Sequence, residues 1–124
     1  TREPGGLAAV RLRTGELVWF AEAHEPVCEG CSPALLAAIT VIPGAVFSGA
    51  SDGLFRAYSS RDGSVLWEYD TNGPHQTING VEASGGSING PGPVVVDGMV
   101  YVNSGYAAFG GRAGNVLLAF SVDE

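Results

Sequence analysis

Phe55–Thr71, FRAYSSRDGSVLWEYDT, reads as a strand, a glycine turn at Asp62-Gly63 and a second strand that carries a tryptophan. The same order of features occupies Leu7–Ala23, LAAVRLRTGELVWFAEA, at an offset of 48, with Ala9/Ala57, Arg13/Arg61, Gly15/Gly63 and Trp19/Trp67 identical. Val10/Tyr58, Leu17/Val65 and Val18/Leu66 match in character. Leu117–Glu124, LLAFSVDE, repeats the first half of the unit at an offset of 62, with Ala119 and Phe120 in the places of Ala57 and Tyr58.

A second half-unit repeats independently. Ile39–Phe47 (ITVIPGAVF) aligns with Pro93–Tyr101 (PVVVDGMVY) at an offset of 54, each being a strand, a two-residue Pro-Gly or Asp-Gly turn and another strand. The two offsets differ by eight residues, which places an insertion within Gly105–Gly114 (GYAAFGGRAG). Runs of β-branched and aromatic residues bounded by such turns predict strands at about Ala8–Leu12, Leu17–Ala21, Ala38–Ile42, Val46–Ala50, Leu54–Ser59, Val65–Tyr69, Val94–Val96, Val100–Ser104 and Val116–Phe120. No stretch sustains helical periodicity. A repeat of roughly 40–50 residues with four short strands per unit is the signature of a β-propeller. The expected fold is therefore all-β, with antiparallel four-stranded blades forming a partial propeller of about nine strands. It divides into the outer strands of one blade (7–23), a full blade (38–71) and a last blade (92–124) of a single segment spanning 1–124.

Composition narrows the chemistry. The 124 residues hold 19 glycines and 7 prolines without a Gly-X-Y period, and 45% hydrophobic residues are enough for a packed core. All six basic residues are arginine, so lysine Schiff bases, a P-loop lysine and a lysine general base are excluded. A net charge of −7 offers no basic face for nucleic acid. The most apolar run, Ala34–Phe47, is interrupted by Pro43-Gly44 and is too short to span a membrane. The opening TREPGG has no basic and apolar leader, so any secretion signal is expected to have been removed or to belong to a longer parent chain.

The pattern Ser51-Asp52-Gly53-x-x-x-Ala57-Tyr58-x-x-x-Asp62-Gly63-x-x-Leu66-Trp67 resembles the tryptophan-docking repeat of pyrroloquinoline-quinone (PQQ) dehydrogenase propellers. The stretch Gly85–Val122 resembles the C-terminal blades of polyvinyl-alcohol-dehydrogenase-like members. The resemblance implies a PQQ- and calcium-dependent oxidoreductase acting on a secondary or polymeric alcohol and passing electrons to a cytochrome, in the periplasm or outside the cell. It also implies a structural role for Trp19 and Trp67, each packed on a neighbouring blade with its N–H on a backbone carbonyl. The chain departs from the family in lacking an adjacent cysteine pair, and no carboxylate matches the family's base or metal ligands. The implied role is a C-terminal segment of the channel wall, inactive alone, with missing blades or further copies of the chain as partners. The alternative is a non-catalytic binding or scaffold module, completed by homo-oligomerisation.

Three other features bear on function. Cys28 and Cys31 form CEGC with Ser32 where a haem attachment needs histidine, leaving a disulfide pinning an inter-blade loop, free thiols, or a metal site with His24. Gly49-Ala50-Ser51-Asp52-Gly53 matches the G-x-S-x-G elbow, which requires a strand entering a helix; here the next element is a strand, so the motif reads as a hairpin turn. The long Gly/Asn/Ser-rich loop Asn72–Gly92 is the leading functional candidate, with Asn79, Gly85, Gly86, Ser87 and Asn89 able to offer N–H groups and amide oxygens to a cofactor, the alternative being a solvated connector. Arg112, beside Tyr106 and Phe109 on the inserted loop, is a candidate cofactor-binding residue able to pair with a carboxylate ligand, the alternative being that this loop covers a propeller face.

Overall fold

The computed structural model describes residues 5–122. Those residues form eleven strands and one short 3₁₀ turn, Ala108–Gly110. Strands β1 (Gly6–Val10) and β2 (Leu17–Glu22) pair as a hairpin, and β3 (Thr40–Ile42), β4 (Ala45–Gly49), β5 (Leu54–Ser59) and β6 (Val65–Asp70) make an antiparallel meander. A small hairpin follows, β7 (Gly73–His75) with β8 (Ala83–Gly85), and then β9 (Val94–Val96), β10 (Met99–Ser104) and β11 (Val116–Ser121) form a three-stranded meander.

The nine strands expected from the sequence are all present, and the count rises to eleven because the loop Asn72–Gly92 contains β7 and β8. The first strand also lies earlier than its apolar residues suggested. Arg11 N–H bonds Glu16 O (2.8 Å), so Arg11 and Leu12 belong to the turn and Leu12 is fully exposed. The third strand starts at Thr40 rather than Ala38, because Ala38 N–H is drawn instead to Gly90 O (2.9 Å).

The repeats in sequence are repeats in register. Ala9 faces Trp19 and Ala57 faces Trp67, and in both hairpins the ladder slips at the next position, Val10 or Tyr58. Phe47 pairs with Ala57 and Tyr101 with Ala119, so the eight extra residues lie wholly in the β10–β11 connection.

The hydrophobic cores lie between sheets. Phe55, Ile88, Val100 and Val102 are buried between the middle and last blades, with Phe47, Leu118 and Phe120 packed against them. Leu7, Val46 and Tyr58 make a second cluster between the first and middle blades, joined by Trp19 and Leu35. Strand β5 is buried on both faces because it serves both clusters, whereas β6 is exposed along its length.

Trp19 couples the first blade to the second. Its indole N–H donates to Ser60 O (3.0 Å), in the β5–β6 turn of the next blade. Its ring covers Gly63, where a Cβ would lie 2.6 Å from Cε3, and Gly63 has φ of +74°. Glycine is thus required there twice, for backbone conformation and for the approach of the ring. Trp67, the repeat equivalent, instead joins an aromatic group on β11 and β6, with its ring 4.9 Å from Phe120 and stacked on Tyr69.

Candidate functional site

The hairpin turns β1–β2, β3–β4, β5–β6 and β9–β10 lie at one end of the antiparallel strands, and the β2–β3, β4–β5 and β10–β11 connections lie at the other. There the β2–β3 connection, the β4–β5 turn, the segment before β9 and the β10–β11 connection enclose a cavity of about 500 Å³. Cys28, Cys31, Ser51, Ser87, Phe109 and Arg112 are among its walls.

Arg112 is the cation at this cavity. Its backbone is clamped to Ser87: Arg112 N–H donates to Ser87 Oγ (2.7 Å) and Ser87 N–H to Arg112 O (3.0 Å). Its exposed guanidinium lies 3.3 Å from Cys28 Sγ and 3.2 Å from Asn72 Oδ1. Asn72 is itself fixed, its amide N–H donating to Asp52 O and Asp70 Oδ1, both at 2.7 Å. Cys28 and Cys31 are joined as a disulfide with Cα atoms 5.4 Å apart, so the sulfurs are not metal thiolates here.

Of the loop residues singled out by sequence, the structure brings Gly85, Gly86, Ser87 and Asn89 together with Arg112. Their polar groups bond within the protein. Gly86 N–H donates to Ser104 Oγ (2.9 Å), and Asn89, 1% exposed, accepts from Ser51 Oγ (2.6 Å) and donates to Ala108 O (3.1 Å). Gly85 and Gly86 have no side chain because Thr71 O and Arg112 O occupy the space a Cβ would need. The two glycine-rich segments therefore cross backbone on backbone, and this crossing presents Arg112. Asn79 lies apart at the tip of the β7–β8 hairpin, where its Oδ1 accepts from Val81 N–H (3.3 Å), beside a second cavity of about 550 Å³ against β11.

Sequence reasoning missed the pairing of His24 with Asp52. Asp52, fully buried in the β4–β5 turn, accepts from His24 Nε2 (2.7 Å) and Val27 N–H (3.2 Å) on one oxygen, and from Leu54 N–H (3.2 Å) on the other. The His24 side chain is 5% exposed, and its Nδ1 is buried without a partner among the described residues. His24 therefore neither joins the cysteines nor serves Ser51, whose hydroxyl bonds Asn89. The residues lie 28 positions apart and Asp52-Gly53 reads as an ordinary turn, so no local signal links them.

The implied cofactors can be tested against these residues. Among the described residues no three His, Cys, Asp or Glu side chains are placed to share a metal ion. The buried carboxylate of Asp52 already has three donors. Neither tryptophan offers a platform to the cavity, since Trp19 lies on Gly63 and Trp67 lies in the Phe120 group. These residues fit neither a complete calcium site nor a stacked quinone; they provide one guanidinium at the cavity.

A family model described as "Outer membrane protein assembly factor BamB" matches residues 3–124. A polyvinylalcohol dehydrogenase from Pseudomonas sp. is 46% identical over 99% of this chain, and one from Sphingopyxis sp. is 44% identical over 95%. The chain spans only 22% and 20% of the length of those relatives. The crystal structure of BamB from Moraxella catarrhalis superposes with a TM-score of 0.60 at 21% identity, covering 95% of this chain and 32% of that one.

Proposed function

Because the chain belongs to the PQQ-repeat propeller family described by the assembly factor BamB, we propose that it is a propeller segment of a PQQ-dependent, alcohol-dehydrogenase-like protein that oxidises a secondary or polymeric alcohol. The observation that carries this reading is the 46% identity to a polyvinylalcohol dehydrogenase across nearly the whole chain. In this reading the segment contributes wall and no catalytic base. Arg112 meets a carboxylate of the cofactor, a charge-assisted contact suited to a guanidinium. Ser87 clamps the Arg112 backbone, Gly85, Gly86 and Asn89 pack where the two segments cross, and Asn79 stands apart on the β7–β8 hairpin. Calcium ligands and the stacking platform come from blades outside this segment. The compartment is the periplasm or the exterior, which suits a disulfide.

The test is to titrate the chain with PQQ and Ca²⁺, following quinone absorbance and melting temperature, and to assay alcohol oxidation with a dye acceptor. A longer chain carrying further blades is assayed in parallel. The expected result is turnover only in the longer chain. Turnover by the segment alone, or none by a longer chain with any alcohol, overturns the reading. A non-catalytic scaffold is the second reading, favoured by the internal bonding of the loop's polar groups. If copies of the chain complete such a scaffold, sedimentation finds an oligomer; a monodisperse monomer refutes that version.

A further inference from the structure

The Cys28–Cys31 ring has the C-x-x-C spacing, borders the cavity of about 500 Å³, and carries a cation against one of its two sulfurs. We propose that it is a redox-reactive disulfide that exchanges electrons with a small dithiol entering the cavity, and that Cys28 is its arginine-stabilised thiolate when reduced. The proposal stands on this geometry and does not depend on the dehydrogenase reading.

Three observations carry it. Both cysteines are partly exposed and line the cavity, so an incoming thiol can reach them. The Arg112 guanidinium, 3.3 Å from Cys28 Sγ, is held by Asn72 Oδ1 and by the backbone clamp to Ser87, so its position does not depend on the disulfide. A fixed cation beside a sulfur lowers the thiol pKa there and makes that sulfur the better leaving group. The connection is also tied down independently of the ring, because Val27 N–H and His24 both bond Asp52. A ring so short restrains the unfolded chain little, so opening it leaves the fold in place. The titratable groups around the ring are Glu29, which lines the same cavity, the His24–Asp52 pair beneath Val27, and Asp70, reached through Asn72. Arg112 is the cation in contact.

One thiolate of the dithiol attacks Cys31 Sγ, the Cys28–Cys31 bond breaks, and its electron pair leaves on Cys28 Sγ beside Arg112. The second thiol loses its proton to solvent and attacks its partner sulfur in the mixed disulfide. Cys31 is released as a thiolate that takes up a proton. The dithiol loses two electrons and closes its own disulfide, and the protein gains two.

The full chain is treated with dithiothreitol under native conditions, and thiols are trapped with iodoacetamide across a pH series and located by peptide mass spectrometry. Far-UV circular dichroism monitors the sheets. Reduction is expected without loss of sheet signal, with Cys28 labelled before Cys31 and half-maximally at least about one pH unit below the ordinary ~8.5 of a thiol. Arg112→Gln, which keeps the backbone clamp, slows Cys28 labelling at neutral pH about tenfold. Cys31→Ser leaves Cys28 alone and gives the same Cys28 titration without the ring. Opening of the disulfide only on denaturation, equal labelling of the two cysteines, or a Cys28 titration unmoved by Arg112→Gln overturns the proposal.

Discussion

Gly63→Ala tests whether the glycine before the tryptophan serves the turn alone or the docking of Trp19. An added Cβ meets two separate penalties. At φ of +74° a non-glycine residue sits in the left-handed region, at about 1–2 kcal/mol. The Cβ would also lie 2.6 Å from Trp19 Cε3 and 3.0 Å from Cδ2, an overpacking of about 1–3 kcal/mol. The ring cannot tilt away freely, because its N–H holds Ser60 O at 3.0 Å and loss of that bond forfeits about 1 kcal/mol. The expected loss is therefore about 2–5 kcal/mol in the wild-type background. In a Trp19→Ala background the ring is gone and only the backbone part, about 1–2 kcal/mol, remains. Urea unfolding followed by far-UV circular dichroism on the four proteins of the cycle yields the coupling. A coupling near zero would refute docking as a reason for Gly63 and leave the turn alone.

Asp52→Ala strips the acceptor from His24, Val27 N–H and Leu54 N–H in a buried setting, and urea unfolding should show a loss of about 3–5 kcal/mol; a loss under ~1 would mean the carboxylate does not anchor the loop. Glu68→Gln removes the Arg56 ion pair (2.9 Å) from a solvated strand, and the same measurement should register no more than about 1 kcal/mol. The Ser64 hydroxyl and N–H hold the exposed Asp62 carboxyl below the usual carboxylate range. A depressed carboxyl stabilises the fold above its unfolded pKa, and that contribution is lost as pH falls through the folded value. Ser64→Ala should therefore raise the Asp62 midpoint in an NMR titration, and an unmoved midpoint would contradict the role of Ser64.

Nine strands were legible because their apolar and β-branched runs are bounded by Pro-Gly and Asp-Gly turns that recur at fixed offsets. The hairpin of β7 and β8 was not, since Gly73-Pro74-His75 and Ala83-Ser84-Gly85 contain no β-former. They are strands by virtue of their partners, each other and Asn115, which accepts Ser84 N–H through its side chain (2.9 Å). Tertiary context outweighs propensity in such segments. At the candidate site, the sequence points to the loop and Arg112 as cofactor contacts and to the glycines as donors to a ligand. The structure gives their bareness another cause, the crossing of Gly85-Gly86 with Thr71 and Arg112 carbonyls. The Arg112–Cys28 contact spans 84 positions, and Trp19 reaches Ser60 across 41. The latter partner was expected in kind because the repeat marks it; the former has no repeat to mark it.

The two ends of the strands are unequal in their freedom to change. On one face Pro43-Gly44, Asp97-Gly98 and the Asp62-Gly63 turn fix strand register, and added length there would shift side chains between the inter-blade cores and solvent. On the other face the β7–β8 hairpin and the eight extra residues of the β10–β11 connection have been accommodated with the ladder pairings of β4–β5 and β10–β11 kept alike. Closing a longer loop is inexpensive, about 0.6 kcal/mol per doubling of its length. Added length can therefore be grafted onto the cavity side, while the turns on the opposite side hold the register of the stack beneath.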